Sequence, residues 1–345
     1  MYNVCMNKKL TKLHKRPELE SSEIIEAVPL ACSDELAAVE FFETQRWGKT
    51  PRCPHCESNA VYKMEDRNGQ RNKRYLWRCH VCERQFTVRS KTVYEDSRLP
   101  LKHWCYAFWR ACTSKKGVSA LEIKRHCQIT YKSALFLMHR IRFAMAETWS
   151  PFTPPLGGNK TVEVDETFCG GTPRRLNGQR AKGSGYRCDT NKIPVVAMVE
   201  RGGEVRTNVV PKVTYKNLSD FLDRNIARGS VVNTDQYAAY HTILYPIVKG
   251  PFGKHETVNH AKKEYARHNL DGTVAHVNTC ESFFSLLKRG LMGTFHAVSP
   301  EHLHRYADEF AFRWNTRRLN DGERLVSAIK KADGKRLIYA EAKAA

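Results

Sequence analysis

The stretch TVEVDETF, residues 161–168, decides the fold. Its period-two alternation predicts a β-strand with Glu163 and Asp165 on one face and Val162 and Val164 on the other. An ionised carboxylate in an otherwise apolar strand is costly unless something compensates it. SVVNTD, residues 230–235, repeats the situation, with Asp235 closing a short strand behind two valines. IPVVAMVER and EVRTNVVP predict a hairpin turning at Gly202-Gly203, and YKNLSDFLDRNI a helix. Strands feeding into helices imply an α/β domain built on a mixed sheet with flanking helices. Acids at strand ends of such a sheet are a usual place for chemistry, although each alone reads equally well as a turn or capping Asp.

Working outward, NTCESFFSLLKRGL (278–291) and SPEHLHRYADEFAFRWNTRR (299–318) predict two more helices. In the first, Glu281 and Lys288 share a face two turns apart. A single helix Glu is usually just solvated. Here it accompanies Phe283, Phe284, Leu286, Leu287 and Leu291, so the helix must be largely buried and its polar residues need a reason. Asp165, Asp235 and Glu281, from three separate elements, would suit two Mg²⁺ (or Mn²⁺) ions on oxygen ligands. Two such ions about 3.5–4 Å apart activate an attacking oxygen and stabilise a leaving one in phosphodiester cleavage. Lys288 would steady a phosphate as a point charge.

Upstream, the pairs Cys53-Pro-His-Cys56 and Cys79-His-Val-Cys82 predict two metal knuckles joined by a hairpin. Four thiolates so spaced make a tetrahedral structural zinc site; a redox pair is the alternative. His55 and His80 read as bystanders. The chain has 57 Lys plus Arg against 36 Asp plus Glu, a formal charge of +21, which favours a polyanionic partner. Part of that excess lies in the hairpin. Lys63, Arg67, Arg71, Lys73, Arg74, Arg78, Arg84, Arg89 and Lys91 face only Glu65, Asp66 and Glu83, with Tyr75 and Trp77 interleaved. This is either a surface for DNA phosphates or a solvated hairpin. The other eight cysteines are scattered, and neither a signal peptide nor a membrane-length apolar run is visible. That pattern points to a reducing, cytoplasmic, nucleoid-associated setting and argues against a membrane partner.

The expected order is a leader (1–32), then a helix capped by Ser33 plus the zinc module (33–92). A helical, helix-turn-helix-like segment follows (93–150), with Lys124, Arg125, His126 and Lys132 around its turn; a plain helical bundle gives the same pattern. Then come a linker rich in Pro and Gly (151–160), the carboxylate domain (161–322) and a carboxy-terminal tail (323–345). The loop 171–192, with Arg174, Arg175 and Lys182, either grips DNA or is a surface loop.

Five segments in order, WGKTPRCPHCES, RCHVCERQFTVRSKT, VEVDETFCGG, NTDQYAAY and HVNTCESFFSLLKRGLMGTFHAVSPEHLHRYADEFAFRWNTRR, resemble the zinc-ribbon DDE transposases of bacterial insertion sequences, relatives of the eukaryotic Merlin elements. The resemblance runs from about residue 34 to about 340, and the last segment is its most specific part. It implies a ribonuclease-H-like domain with Asp165, Asp235 and Glu281 as the triad and Lys288 as the following lysine. Some relatives use Asn as the third ligand, which keeps Asn278 in contention; Glu163 is a supplementary candidate. His276, His296 and Arg313 recur near the motif, with DNA contact and helix packing both open, and Arg289 is a further DNA-binding candidate. The implied activity is metal-dependent strand cleavage and strand transfer on terminal inverted repeats and target DNA, by a homodimer or larger assembly. The rivals are a domesticated DNA-binding or transcription protein that does not cut, and a nuclease of the same fold that does not join.

Overall fold

The computed structural model describes residues 21–147, 152–170, 192–249 and 253–338. Among these no helix is long and apolar enough to cross a membrane. The chain opens with α1 (Ser21–Ser33) and α2 (Glu35–Trp47). The expectation of a leader through residue 32 fails from Ser21 onward. α1 buries Ile24, Val28 and Ala31, an i, i+4, i+7 helical spacing that covers only two turns and is interrupted by Pro29. Ser33 does not cap α2. Asp34 does, accepting from the Ala37 N–H at 2.8 Å, while the Ser33 hydroxyl donates back to the Leu30 carbonyl.

Next comes a three-stranded antiparallel ribbon, β1 (Val61–Lys63), β2 (Trp77–Cys79) and β3 (Gln85–Phe86), in that order. It is too small for its own core and borrows one. Trp47 of α2 meets Trp77 and Phe86 edge-on, with ring centroids 5.7 and 5.8 Å away. Trp77 Nε1 also donates to the nearly buried Glu43 carboxylate of α2 at 2.7 Å.

Helices α3 (Leu101–Thr113), α4 (Ala120–Cys127) and α5 (Tyr131–Met145) follow. Gln128 takes a left-handed conformation (φ 54°) and Thr130 caps α5, so three residues turn α4 into α5. These helices share one core with α1, α2, the ribbon and α10 (Asp321–Lys330), whose Leu325, Ala328 and Ile329 are buried there. The expected tail from residue 323 thus begins inside a helix, residues 323–330 of it, that closes the amino-terminal core. Its amphipathic run is only ten residues long and follows a capping box at Asn320 and Glu323. The expected linker is likewise docked: Leu156 is buried and exchanges backbone bonds with Asn225 and Ala227.

The mixed sheet comprises β4 (Val162–Cys169), β5 (Ile193–Glu200), β6 (Val205–Val209), β7 (Val231–Asp235) and β8 (Lys254–Val258). Its order is β6-β5-β4-β7-β8, antiparallel on the hairpin side and parallel from β4 to β8. α6 (Tyr215–Asn225) and α7 (Ala238–Val248) cover the face formed by Val162, Val164 and Val232. The short pair β9 (Arg267–His268) and β10 (Val274–Ala275) leads into α8 (Asn278–Gly290) and α9 (Leu303–Asn315), which cover the other face. α8 and α9 cross at Gly290, where an added Cβ would lie 2.0 Å from the Phe310 ring. The flanked mixed sheet is as expected.

One buried ion cluster joins the helical segment to the sheet. Glu309 of α9, fully buried, accepts from Arg142 Nε of α5 at 2.6 Å and pairs with Arg313 at 2.8 Å. The Arg142 guanidinium also lies 4.0 Å over the Tyr306 ring. Glu309→Ala leaves two cations buried without their counter-charge, so it lowers the unfolding free energy by about 3–5 kcal/mol. Urea denaturation measures this, and a loss below about 1 kcal/mol would show that the cluster carries little stability.

Candidate functional site

The register of β4 and β7 brings the two aspartates together. Val162 pairs with Val232 and Glu163 with Asn233, a constant offset of 70, after which the paired ladder ends. The same offset sets Asp165 level with Asp235 on adjacent strands that separate just there. A crevice at the carboxyl ends of parallel strands is where open α/β sheets receive ligands. Alternation turns Val162, Val164 and Val232 towards α6 and α7, leaving the aspartates on the side that α8 covers.

α8 is held in place by Glu163. This fully buried carboxylate accepts from the Thr279 N–H (2.8 Å), the Cys280 N–H (3.2 Å), the Thr279 hydroxyl (2.8 Å) and Arg201 Nε (2.6 Å). It thus occupies the anion site at the amino end of α8. The expectation that Glu163 supplements the ligand set gives way to this: its lone pairs are engaged in positioning the helix. Glu281, one residue beyond the anchored Cys280, lines the same cleft as Asp165, with its Oε1 3.9 Å from His260 Nε2. Asn278 sits exposed at the start of α8 and does not line the cleft described next.

That cleft, about 770 Å³, is lined by Asp165, Glu166, Thr167, Glu281, Phe284, Ser285, Lys288, Arg289, Met292, Gly293 and Lys116. Asp235 lies beside it, within electrostatic range. Burial, with the charges of Glu166, Asp235 and Glu281, pushes the Asp165 carboxyl up to about 8. Burial and Asp235 push Glu166 up to about 7, against the hydrogen bond it accepts from the Tyr240 hydroxyl. A penalty that comes first from burial and then from neighbouring acids marks carboxylates short of positive charge, and their all-oxygen donors suit a hard divalent cation. The three acids form a looser group than the cysteines. Among the described residues, Cys53, Cys56, Cys79 and Cys82 are the ones whose ligand atoms all fall within 4.8 Å of one another. Lys288 and Arg289 stand on the cleft wall, two turns along α8 from Glu281.

In the ribbon, Cys53 and Cys82 Sγ are 3.6 Å apart, as are Cys56 and Cys79. Tetrahedral bonds of about 2.3 Å to one zinc require sulfurs about 3.8 Å apart, so the cluster fits. The His55 and Val81 N–H groups each donate to a cysteine sulfur at 3.4 Å, as expected where a knuckle stabilises thiolates.

The expected DNA contacts divide. Lys73 and Arg74 are exposed and Arg78 half-exposed. Arg71 is not available: it is paired with Glu43 and lies over the Tyr75 and Trp77 rings, while Trp77 itself is buried. Basic residues and aromatics here serve partly to seat the ribbon on α2, a use that composition alone cannot separate from DNA binding. Arg313 is also structural, donating to the Ser114 and Ala111 carbonyls beside Glu309. His276 packs beside Glu163, and His296 is exposed in a left-handed turn at φ 60°. Arg174, Arg175 and Lys182 lie outside the described residues. Sequence reasoning missed Lys116, Glu166 as a cleft carboxylate, and Tyr240. None carries a local signal, because each becomes part of the cleft only through packing.

Comparison with known proteins gives two family matches and one relative. Residues 155–315 match the ISXO2-like transposase domain, and residues 33–85 the transposase zinc-ribbon domain. The chain is also 27% identical over 307 residues to an uncharacterized protein in transposable element ISH50 of Halobacterium salinarum. That similarity spans 86% of this chain and 97% of the halobacterial protein.

Proposed function

We propose, from the premise that this chain carries both domains of the zinc-ribbon insertion-sequence transposases, that it binds the terminal inverted repeats of its element and catalyses DNA strand cleavage and strand transfer. The observation that carries the proposal is the cleft at the end of β4, lined by Asp165, Glu166, Glu281, Lys288 and Arg289, with Asp235 of the adjacent strand β7 within electrostatic range of Asp165. A protein that only binds DNA has no use for acids facing phosphates. The antiparallel-to-parallel sheet with acids at its strand ends supports a ribonuclease-H-like reading of residues 161–322.

Asp165, Asp235 and Glu281 would hold two Mg²⁺ or Mn²⁺ ions. When bound, these supply Lewis acidity at the reacting phosphate and favour deprotonation of the attacking water or 3′-hydroxyl. The chain's own part is positional. Glu163 anchors α8, whose Glu281 lines the cleft with Asp165, and α8 would carry Lys288 and Arg289 to where a phosphate would lie. Phe284, nearly buried, gives the cleft wall an apolar component. The ribbon, folded around one zinc, offers Lys73, Arg74 and Arg78 to the DNA backbone. Joining two ends calls for a dimer or larger synaptic assembly.

The test uses the purified chain, Mg²⁺ and a duplex carrying the inverted repeats that flank the coding region. Nicks at the repeat ends, and joined products from a pre-cut 3′-end, are expected. Binding without cleavage in Mg²⁺ or Mn²⁺ would leave a DNA-binding protein. Cleavage without joining would leave a nuclease.

A further inference from the structure

Lys116 enters the cleft from outside the carboxylate domain. It belongs to the turn between α3 and α4, in the helical segment that leads into the α4–α5 pair, yet it shares the cleft wall with Lys288 and Arg289. The turn is held on both sides. Within it, the Ser114 hydroxyl donates to the Gly117 carbonyl at 2.7 Å. From α9, Arg313 Nε donates to the Ser114 carbonyl at 3.1 Å, and Arg313 is itself fixed by the buried Glu309. Gly117, buried at φ +85°, passes so close to the turn after α8 that an added Cβ would lie 2.6 Å from the Phe295 ring. Val118 behind it is fully buried. The backbone under Lys116 is therefore rigid, while its ammonium is exposed and makes no ion pair among the described residues.

We propose that Lys116 is a DNA-phosphate-binding residue of the carboxylate cleft, supplied by the amino-terminal helical segment; this rests on reading the cleft as a phosphoryl-transfer site. A lysine serving only solubility needs no anchored turn beside a cleft. An ammonium on a fixed base pays mainly its own side-chain entropy when it meets a phosphate. Together with Lys288 and Arg289, which line the same cleft, Lys116 makes a cationic margin that a DNA strand would follow past the carboxylates. It also couples the two halves of the chain: DNA that engages Lys116 touches the helical segment and the cleft at once.

The test compares wild type, Lys116→Ala, Lys116→Arg and Lys115→Ala on a short repeat-end duplex. In Mg²⁺, Lys116→Ala is expected to raise KM about tenfold and change kcat by less than about threefold. In binding without metal, loss of one phosphate contact lowers the slope of log K against log salt by about 0.9. Lys116→Arg restores both values, and Lys115→Ala, exposed and off the cleft wall, changes neither. A purely structural Lys116 would shift the melting temperature and leave the salt slope alone. If wild type cleaves while Lys116→Ala keeps its KM and slope, the inference is overturned and the proposed function stands. If wild type neither binds nor cleaves the duplex, both fall together.

Discussion

Asp165→Asn is expected to cut Mg²⁺-dependent strand cleavage by about 10³-fold or more while leaving DNA binding intact. A divalent ion contributes several kcal/mol of charge stabilisation at a reacting phosphate, and each 1.36 kcal/mol is tenfold in rate. Asp165 is the most central of the acids, with Glu166, Asp235 and Glu281 all acting on its charge. An amide of the same size keeps the packing and removes the anionic ligand. The same substitution is expected to stabilise the metal-free fold. The folded carboxyl titrates at about 8 against an ordinary 3.8, so it binds its proton more tightly than the unfolded chain does. Below about pH 4 both states are protonated and the site costs nothing. As pH rises the unfolded chain deprotonates first, so stability drains away until about pH 8. Without metal at pH 8, Asp165→Asn should therefore melt above wild type, and the gap should close towards pH 4. Mg²⁺ should raise the melting temperature of wild type and not that of the variant. Wild-type cleavage rates in the variant would remove Asp165 from the chemistry; equal melting at pH 8 would remove the electrostatic account of the cluster.

How much of this was legible beforehand follows from the range of each signal. TVEVDETF and SVVNTD announce their strands because alternation and valine runs are local, and β4 and β7 form where they predict. The three helices expected in the second half form too. Four cysteines in two tight pairs also speak locally, and their sulfurs converge. What stayed hidden depends on partners far along the chain. Glu163 and Asp165 look alike on one strand face, and only the amino end of α8, more than a hundred residues away, makes one a helix anchor and leaves the other to the cleft. Arg71 looks like its basic neighbours until Glu43 claims it. α1 is interrupted by Pro29 and α10 spans only ten residues, so neither stands out, and both pack into a core assembled from both ends of the chain. Lys116 has no signal at all, since its place in the cleft is set by Gly117 against Phe295 and by Arg313.

Removal of zinc, or Cys79→Ser, is expected to unfold the ribbon and propagate into the helices behind it. Structural zinc contributes roughly 10–16 kcal/mol of apparent free energy in small Cys/His modules, as much as the whole net stability of a typical domain. The strands of this ribbon are two or three residues long, and nothing in them replaces that term. Cys79 is the most telling position because it closes β2 directly beside Trp77, and Trp77 is what α2 packs on through Trp47 and Glu43. When β2 releases, Glu43 loses both Trp77 and Arg71 and is left with a buried carboxylate to solvate. α2 must then shift or fray, and with it the core shared by α1, α3 and α10. Three readouts should move together: bound zinc falls from one per chain, Trp47 and Trp77 fluorescence shifts red, and proteolysis opens between residues 48 and 92. DNA-end binding should weaken as Lys73, Arg74 and Arg78 lose their common surface, whereas the acids at β4 and β7, in a separate core, keep their place. A chain that stays folded and zinc-free, with unchanged tryptophan emission after chelation, would show that the four sulfurs hold together by packing alone.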